Sequence, residues 1–231
     1  MTADKLLTPA LTVFEQMALD EWLASHQPSR PLLRFYHWTA GEAVTFGYAQ
    51  GARSVRTQTP PHVPICRRPT GGGMVRHGAD LTFSFIFPSR VLRPKDIYFQ
   101  LHSAVEQALL QTDLLTATRQ GAVAPQAYAP MQQGAAAGCF ACPVEDDLLA
   151  DGRKILGGAL RRFGPVVLYQ GSLQCERART DTAFRRAVEQ AASHMSGCRF
   201  ATRMIDEQEL AAARQLARRQ YETDEWNQKF L

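Results

Sequence analysis

The stretch Arg67-Arg68-Pro69-Thr70-Gly71-Gly72-Gly73 constrains this chain more than any other. It follows a run, residues 62–68, that reads as a strand. Glycine has no Cβ, so the backbone at the triplet can bend sharply and approach a bound ligand closely. A glycine triplet also fits a plain tight turn. The two arginines before it carry rigid guanidinium forks suited to a phosphate or a carboxylate. Downstream, residues 74–77 and 81–87 read as a strand pair turning at Gly78-Ala79-Asp80, with His77 facing that turn.

With 231 residues, 45% of them apolar, the chain is long enough for one domain, 1–231, with a sizeable core. The net charge is +4, and only Lys5, Lys95, Lys154 and Lys229 are lysines. No basic stripe is interleaved with aromatics, which argues against nucleic acid as a partner. The mild basic excess suits steering toward an acidic protein. No run of about 18 apolar residues is present, so no membrane span is expected. The first residues do not read as a secretory signal. Five irregularly spaced cysteines fit a reduced, cytoplasmic protein.

Along the chain, Thr12 with Glu15 forms a capping box. Phe14, Met17, Ala18 and Trp22 then share one face of a helix ending near 25–28. Asp20 and Glu21 are expected on its exposed face. Residues 32–38 and 43–48 read as strands joined by a hairpin turn at 39–42, their aromatics either core or lining for an apolar slot. Residues 50–61 read as a polar connection. Asp96 caps a helix running to about 113, with Ile97, Leu101, Val105, Ala108 and Leu109 as its buried stripe. His102, near that stripe, reads as a satisfied surface or core histidine. From about 115 to 138 all periodicity is lost, as in a long flexible loop. Helices follow at about 181–194 and 206–221.

Two segments carry candidate chemistry. Cys139-Phe140-Ala141-Cys142-Pro143 fits two buried small residues or a stray C-x-x-C. A zinc site would need a second ligand pair, and a thioredoxin-like motif its own βαβ setting; the sequence offers neither. A nucleophilic cysteine is the third reading. Residues 147–173 read as three strands with turns at Asp151-Gly152 and Phe163-Gly164-Pro165. The middle strand holds Lys154, followed by Ile155 and two glycines. Either this lysine faces solvent, or its ammonium points into a ligand cleft where the glycines leave room.

Taken together, these segments resemble the lipoate–protein ligase and octanoyltransferase superfamily, whose fold is shared with biotin–protein ligases. The resemblance rests on Arg-Arg-Pro-Thr-Gly-Gly-Gly, His77, the Asp80-Leu81-Thr82-Phe83-Ser84 run, the opening helix, Gly152-Arg153-Lys154-Ile155-x-Gly157-x-Ala159 and the closing Trp226-Asn227. It covers nearly the whole chain and is weakest between 115 and 138. It implies an α+β fold of the class II aminoacyl-tRNA synthetase and biotin–lipoate ligase type, a mixed, mostly antiparallel sheet flanked by helices. It implies Lys154 as the active-site lysine, and Arg68, Thr70, Gly71, Gly72, Gly73, His77, Gly157 and Ala159 as substrate-binding residues, with no metal or cofactor.

The short transferases of the superfamily carry a cysteine followed by phenylalanine upstream of the lysine strand, which Cys139-Phe140 matches. The resemblance then implies two-step acyl transfer. An octanoyl group would pass from acyl carrier protein to Cys139, then to a lysine of a lipoyl-domain protein such as glycine cleavage H protein or a 2-oxoacid dehydrogenase E2. The ligases of the superfamily instead make lipoyl-AMP from lipoate and ATP with Mg, typically with an extra C-terminal domain. No such domain follows Trp226-Asn227 here, although some ligases supply it as a separate subunit. An amidotransferase moving octanoyl between lipoyl-domain proteins is a further alternative, and a non-catalytic relic is disfavoured by Cys139 and Lys154. Gly158 and Leu160 depart from the family's frequent Ser and Gln, and Cys142 leaves open which thiol is acylated.

Overall fold

The computed structural model describes residues 1–26, 28–89, 93–122 and 143–230. Eleven strands and six α-helices are assigned among them. In chain order they are β1 (Thr2–Leu7), α1 (Val13–Ser25), β2 (Leu32–Phe35), β3 (Ala43–Phe46), α2 (Ala52–Thr57), β4 (Ile65–Arg67), β5 (Val75–His77) and β6 (Leu81–Pro88). Then come α3 (Pro94–Gln111), β7 (Thr118–Arg119), β8 (Leu148–Ala150), β9 (Arg153–Phe163), β10 (Val166–Leu173), α4 (Thr182–Ser196), β11 (Arg199–Met204), α5 (Glu207–Leu216) and α6 (Asp224–Asn227). A π-helical turn, Ala217–Tyr221, continues α5. The large sheet runs β11-β1-β2-β6-β10-β9-β8-β7, and a small one runs β4-β3-β5. Strand β1 pairs in parallel with β11 and β2, and the rest of the large sheet is antiparallel.

The alternation along β6 explains the layering. Leu81, Phe83, Phe85 and Phe87 join Leu33, Phe35, Leu156, Val167 and Tyr169 in one core, under α3 and α4. Side chains alternate across a strand, so Thr82, Ser84 and Ile86 face the other way. That second face divides into two zones. Leu32, Ile86, Val166 and Leu168 pack against Leu19 and Leu23 of α1 and Ala213 of α5. Register carries Thr82, Ser84, Gln170, Ser172, Gly157 and Ala159 to the other zone. These residues are polar or small, so the sheet there is not sealed by a helix.

Several expectations hold. The Thr12–Glu15 capping box is present, and Asp181 and Asp206 cap the last two long helices. The α3 stripe is buried, and the three strands after residue 147 pair in order. Others need correction. Residues 32–38 and 43–48 form no hairpin: β2 lies in the large sheet and β3 in the small one. Likewise β5 pairs with β3, while β6 pairs with β2 and β10, so Gly78-Ala79-Asp80 carries the chain between sheets. The supposed polar connection holds α2, and the start of the supposed loop holds β7.

The largest correction is Asp20. It is fully buried, because Arg34 pairs with its Oδ1 at 2.9 Å inside the protein. Ser84 Oγ donates to the same carboxylate at 2.7 Å, Gln170 Nε2 at 2.7 Å, and Tyr36 OH also donates. Glu21 is half-buried and accepts from Tyr221 OH and Gln220. A helical face carrying charge is normally solvated; here the charge is matched by partners from β2, β6 and β10.

Candidate active site

The small sheet sits over the unsealed zone of the large one, and between them lies a half-open cavity of about 30 Å³. Thr82, Gly157, Ala159, Gln170 and Ser172 form its floor, and Thr45, Arg68, Val75 and His77 its roof. Met17 from α1 and Tyr36, just after β2, line it as well. Of the residues expected from sequence, Arg68, His77, Gly157 and Ala159 therefore meet in one place.

The glycine loop closes over this cavity. Gly72 has φ +89°, in the left-handed region that favours glycine, and a Cβ there would lie 3.8 Å from the Ala159 Cβ. A Cβ on Gly47 would lie 1.8 Å from the Gly72 oxygen, so loop and strand end touch backbone to backbone. Arg68 braces the loop from beneath. Its Nη2 donates to the carbonyls of Gly71 and Gly73 at 2.7 and 2.9 Å, and its Nη1 donates to Thr45 Oγ1 at 3.0 Å. Arg67 is directed elsewhere. Its guanidinium donates to the carbonyls of Gln50, Trp226 and Asn227 and docks the C-terminal segment on β4. Thr70 is buried and donates to Gln170 Oε1 at 2.7 Å.

His77 extends the brace. Its Nε2 lies 2.8 Å from Thr45 Oγ1 and its Nδ1 2.9 Å from Asp80 Oδ2, with Trp38 stacked on the ring. Thr45 Oγ1 accepts from Arg68 and contacts His77 Nε2, which links Arg68 to the His77–Asp80 pair. Asp80 Oδ2 also accepts from Thr82 at 2.7 Å and Ser172 at 2.6 Å. Burial pushes the Asp80 carboxyl up, but His77 and these donors outweigh it and hold the group below the usual range. The lining hydroxyls are thus engaged by Asp80, His77, Arg68 and Asp20, and the wall that faces the cavity is mostly carbon.

Lys154 does not line the cavity itself but is brought beside Gly157, which does, through an irregularity in its strand. Leu149 pairs with Lys154, but Leu148 pairs with Leu156, so one step on β8 matches two on β9. The extra residue, Ile155, is a β-bulge, a device that re-aims side chains. Without it Lys154 would share the core-facing side of Leu156. With it Lys154 joins the side of Gly157 and Ala159. Its ammonium pairs with Asp147 Oδ2 at 2.8 Å, with both side chains nearly inaccessible. A Cβ on Gly157 would lie 2.3 Å from Lys154 Cε and 3.4 Å from Asp147 Oδ1, so glycine is what leaves room for the pair. Burial raises the pKa of Asp147 and the lysine lowers it, with a net rise.

Asp147 is pinned in turn. Its Oδ2 accepts from the Val144 N–H at 2.7 Å. The neighbouring Asp146 carbonyl lies 2.7 Å from His102 Nδ1, and His102 Nε2 lies 2.7 Å from Tyr169 OH. Burial lowers the pKa of His102 to about 4. The neutral ring donates from Nδ1 and accepts at Nε2, which satisfies both partners. Tyr169 needs the space at Gly158, where a Cβ would lie 2.3 Å from its ring. Leu160 packs against the same core. Of the two departures from the superfamily pattern, Leu160 falls on the core face, while the backbone of Gly158 borders the cavity.

Sequence reasoning missed Asp147, Gln170, Thr45 and Asp80. Asp147 precedes a hairpin turn that returns the chain to Lys154, which was the available signal, but the bulge hides the pairing. Cys139 and Cys142 lie outside the described residues, as does most of the expected loop. Cys66 is buried, and burial pushes its thiol well above the ordinary range.

Comparison with known proteins fits this geometry. Residues 12–230 match the family model described as the lipoyl protein ligase A/B catalytic domain. An octanoyltransferase LipM of Carboxydothermus hydrogenoformans is 32% identical over 168 residues, covering 69% of this chain and 60% of that protein. One of Geobacillus kaustophilus is 26% identical over 260 residues, covering 92% and 93%. The chain thus spans about 60% of the length of the first of these relatives. In structure, a lipoate-protein ligase A bound with ATP matches with a TM-score of 0.80 at 24% identity, over the full length of both chains. A bipartite lipoate protein ligase of Thermoplasma acidophilum, described with its E2 lipoyl domain, matches with a TM-score of 0.73 at 22% identity over all of this chain and 98% of that one.

Proposed function

Because the chain belongs to the lipoyl protein ligase A/B catalytic domain family, we propose that it transfers an octanoyl group from acyl carrier protein to a lysine of a lipoyl-domain protein, through a thioester on Cys139. The observation that carries this reading is the buried Lys154–Asp147 pair, turned by a bulge against Gly157, which lines a carbon-walled cavity beside the glycine loop. The relatives named octanoyltransferase support the acyl group.

In the first step the Cys139 thiolate attacks the thioester carbonyl, and the carrier's thiol leaves. In the second the acceptor amine attacks the enzyme thioester, an amide forms, and the Cys139 thiolate is released. Covalent catalysis divides one exchange into two easier ones. A free thiol has a pKa of about 8.5, so a neighbouring cation is needed to hold the thiolate at neutral pH. Lys154 supplies that charge, gives its proton to the carrier's departing thiolate, and as the neutral amine takes one back from the incoming acceptor amine. Backbone N–H groups of Gly71, Gly72 and Gly73 receive the oxyanion. Arg68, Thr70 and His77 hold that loop in place, and Gly157 and Ala159 border the acyl chain. Neither step consumes ATP.

The test mixes the purified chain with octanoyl–acyl carrier protein and a lipoyl domain, without ATP, and follows the acceptor's mass. The expected result is an octanoyl amide on one lysine of the acceptor. Octanoylation that proceeds only from free octanoate or lipoate with ATP and Mg would replace this reading with the ligase. Transfer from an octanoylated lipoyl domain, but not from acyl carrier protein, would replace the donor.

A further inference from the structure

The cavity has a direction. Gly157, Ser172 and Thr82 are aligned across β9, β10 and β6, and Ala159, Gln170 and Ser84 form the next row on the same face. Lys154 lies over Gly157 in the first row. Met17 meets the second row, its Sδ 3.5 Å from Gln170 Nε2. Rows on one face are two residues apart, about 6.7 Å along the strand. That is the length scale of a medium acyl tail and far short of a long one. Beyond the second row, α1 seals the sheet with Leu19 and Leu23.

At that end Tyr36 and Gln170 are fixed by hydrogen bonds to the buried Asp20. Met17 is different: it is unbranched, apolar and 1% exposed. The cavity measures only about 30 Å³, the room of about two or three waters, so a medium alkyl chain enters only if a wall yields. Methionine, with three rotatable side-chain bonds, is the residue type that yields most readily.

We propose that Met17 is the end stop of the acyl slot and sets the length of chain the protein accepts. This rests on the acyl-transfer reading, and it adds the residue that selects the substrate. A smaller residue at position 17 deepens the slot and a bulkier one shortens it.

The experiment loads acyl carrier protein with hexanoyl, octanoyl, decanoyl or dodecanoyl groups and measures kcat/KM for the wild type, Met17→Ala and Met17→Phe. One methylene in an apolar pocket is worth about tenfold or more in discrimination. Met17→Ala is expected to raise the decanoyl-to-octanoyl ratio about tenfold, and Met17→Phe to raise the hexanoyl-to-octanoyl ratio similarly. Shifts in opposite directions would not follow from loosened packing alone. Folded variants, by near-ultraviolet circular dichroism, that keep the wild-type ranking overturn the proposal. A parallel series uses free fatty acids of the same lengths and reads the thermal shift. If the wild type transfers no acyl group but the fatty-acid ranking moves with residue 17, the slot assignment stands and the transfer reading fails. If neither ranking moves, the end-stop assignment fails.

Discussion

Two residues fix the position and charge state of the Lys154–Asp147 pair on which the proposed transfer depends. Gly157 is one, since any Cβ there collides with the lysine's Cε. Gly157→Ala is expected to leave the thermal midpoint nearly unchanged, because the far end of a flexible side chain can move aside, yet to lower octanoyl transfer at least about a hundredfold, as a misplaced catalytic group does. Equal loss of stability and activity would contradict the close-approach account. Asp147 is the other. Its carboxyl titrates above the ordinary range because it is buried. The ion pair with Lys154 exists above that pKa and is lost as pH falls through it. The acid limb of the transfer rate is therefore expected above the pH of an unperturbed carboxylate, and Asp147→Asn should abolish that limb. A pH–rate profile of both proteins decides it, and an unchanged limb in the variant would assign it elsewhere. Asp147 was not legible in sequence as a partner of Lys154, because a regular hairpin through Asp151-Gly152 puts the lysine on the wrong face. Only the bulge at Ile155 corrects that, and nothing in residue type announces it.

Between elements, α3 and β10 meet through His102 and Tyr169 beneath the lysine strand. His102 titrates near 4 in the folded protein against an ordinary 6.5. As pH falls below about 6.5 the unfolded chain binds a proton that the folded one refuses, so stability declines until pH reaches about 4. A tenfold difference in proton affinity between the two states is worth about 1.4 kcal/mol, so the full loss is about 3 kcal/mol. Denaturant titrations from pH 7 to 4 should show this slope, and His102→Gln, which retains a donor and an acceptor, should flatten it. A slope of the same size in the variant would place the acid sensitivity in another group. The elements themselves were largely legible. Thr12, Asp181 and Asp206 marked three helices and the Leu-Thr-Phe-Ser-Phe alternation marked β6, whereas Asp96, expected as a cap, lies in the first turn of α3 behind Arg93. The sheet partners were not, since neighbours in sequence, β2 with β3 and β5 with β6, separate into different sheets. Local turn chemistry suggested hairpins, and tertiary packing overrode it. Strands β1 and β11 were missed because their pairing joins residues almost 200 positions apart.

Across the whole molecule, the buried polar group around Asp20 joins α1, β2, β6 and β10 and so holds the end of the cavity. Removing one partner of a buried pair leaves a charge without compensation, at about 3–5 kcal/mol. Asp20→Ala is expected to lose stability on that scale in chemical denaturation, and a loss below about 1 kcal/mol would show that Arg34 finds another partner. The central claim, that the Cys139 thiol carries the acyl group, is tested most directly by intact mass. The purified chain is mixed with octanoyl–acyl carrier protein alone. The account predicts a hydroxylamine-sensitive octanoyl adduct that is retained in Cys142→Ala and absent in both Cys139→Ala and Lys154→Met. An adduct that persists in Cys139→Ala, or its absence from the wild type while octanoyl- or lipoyl-AMP forms from free acid and ATP, would contradict it.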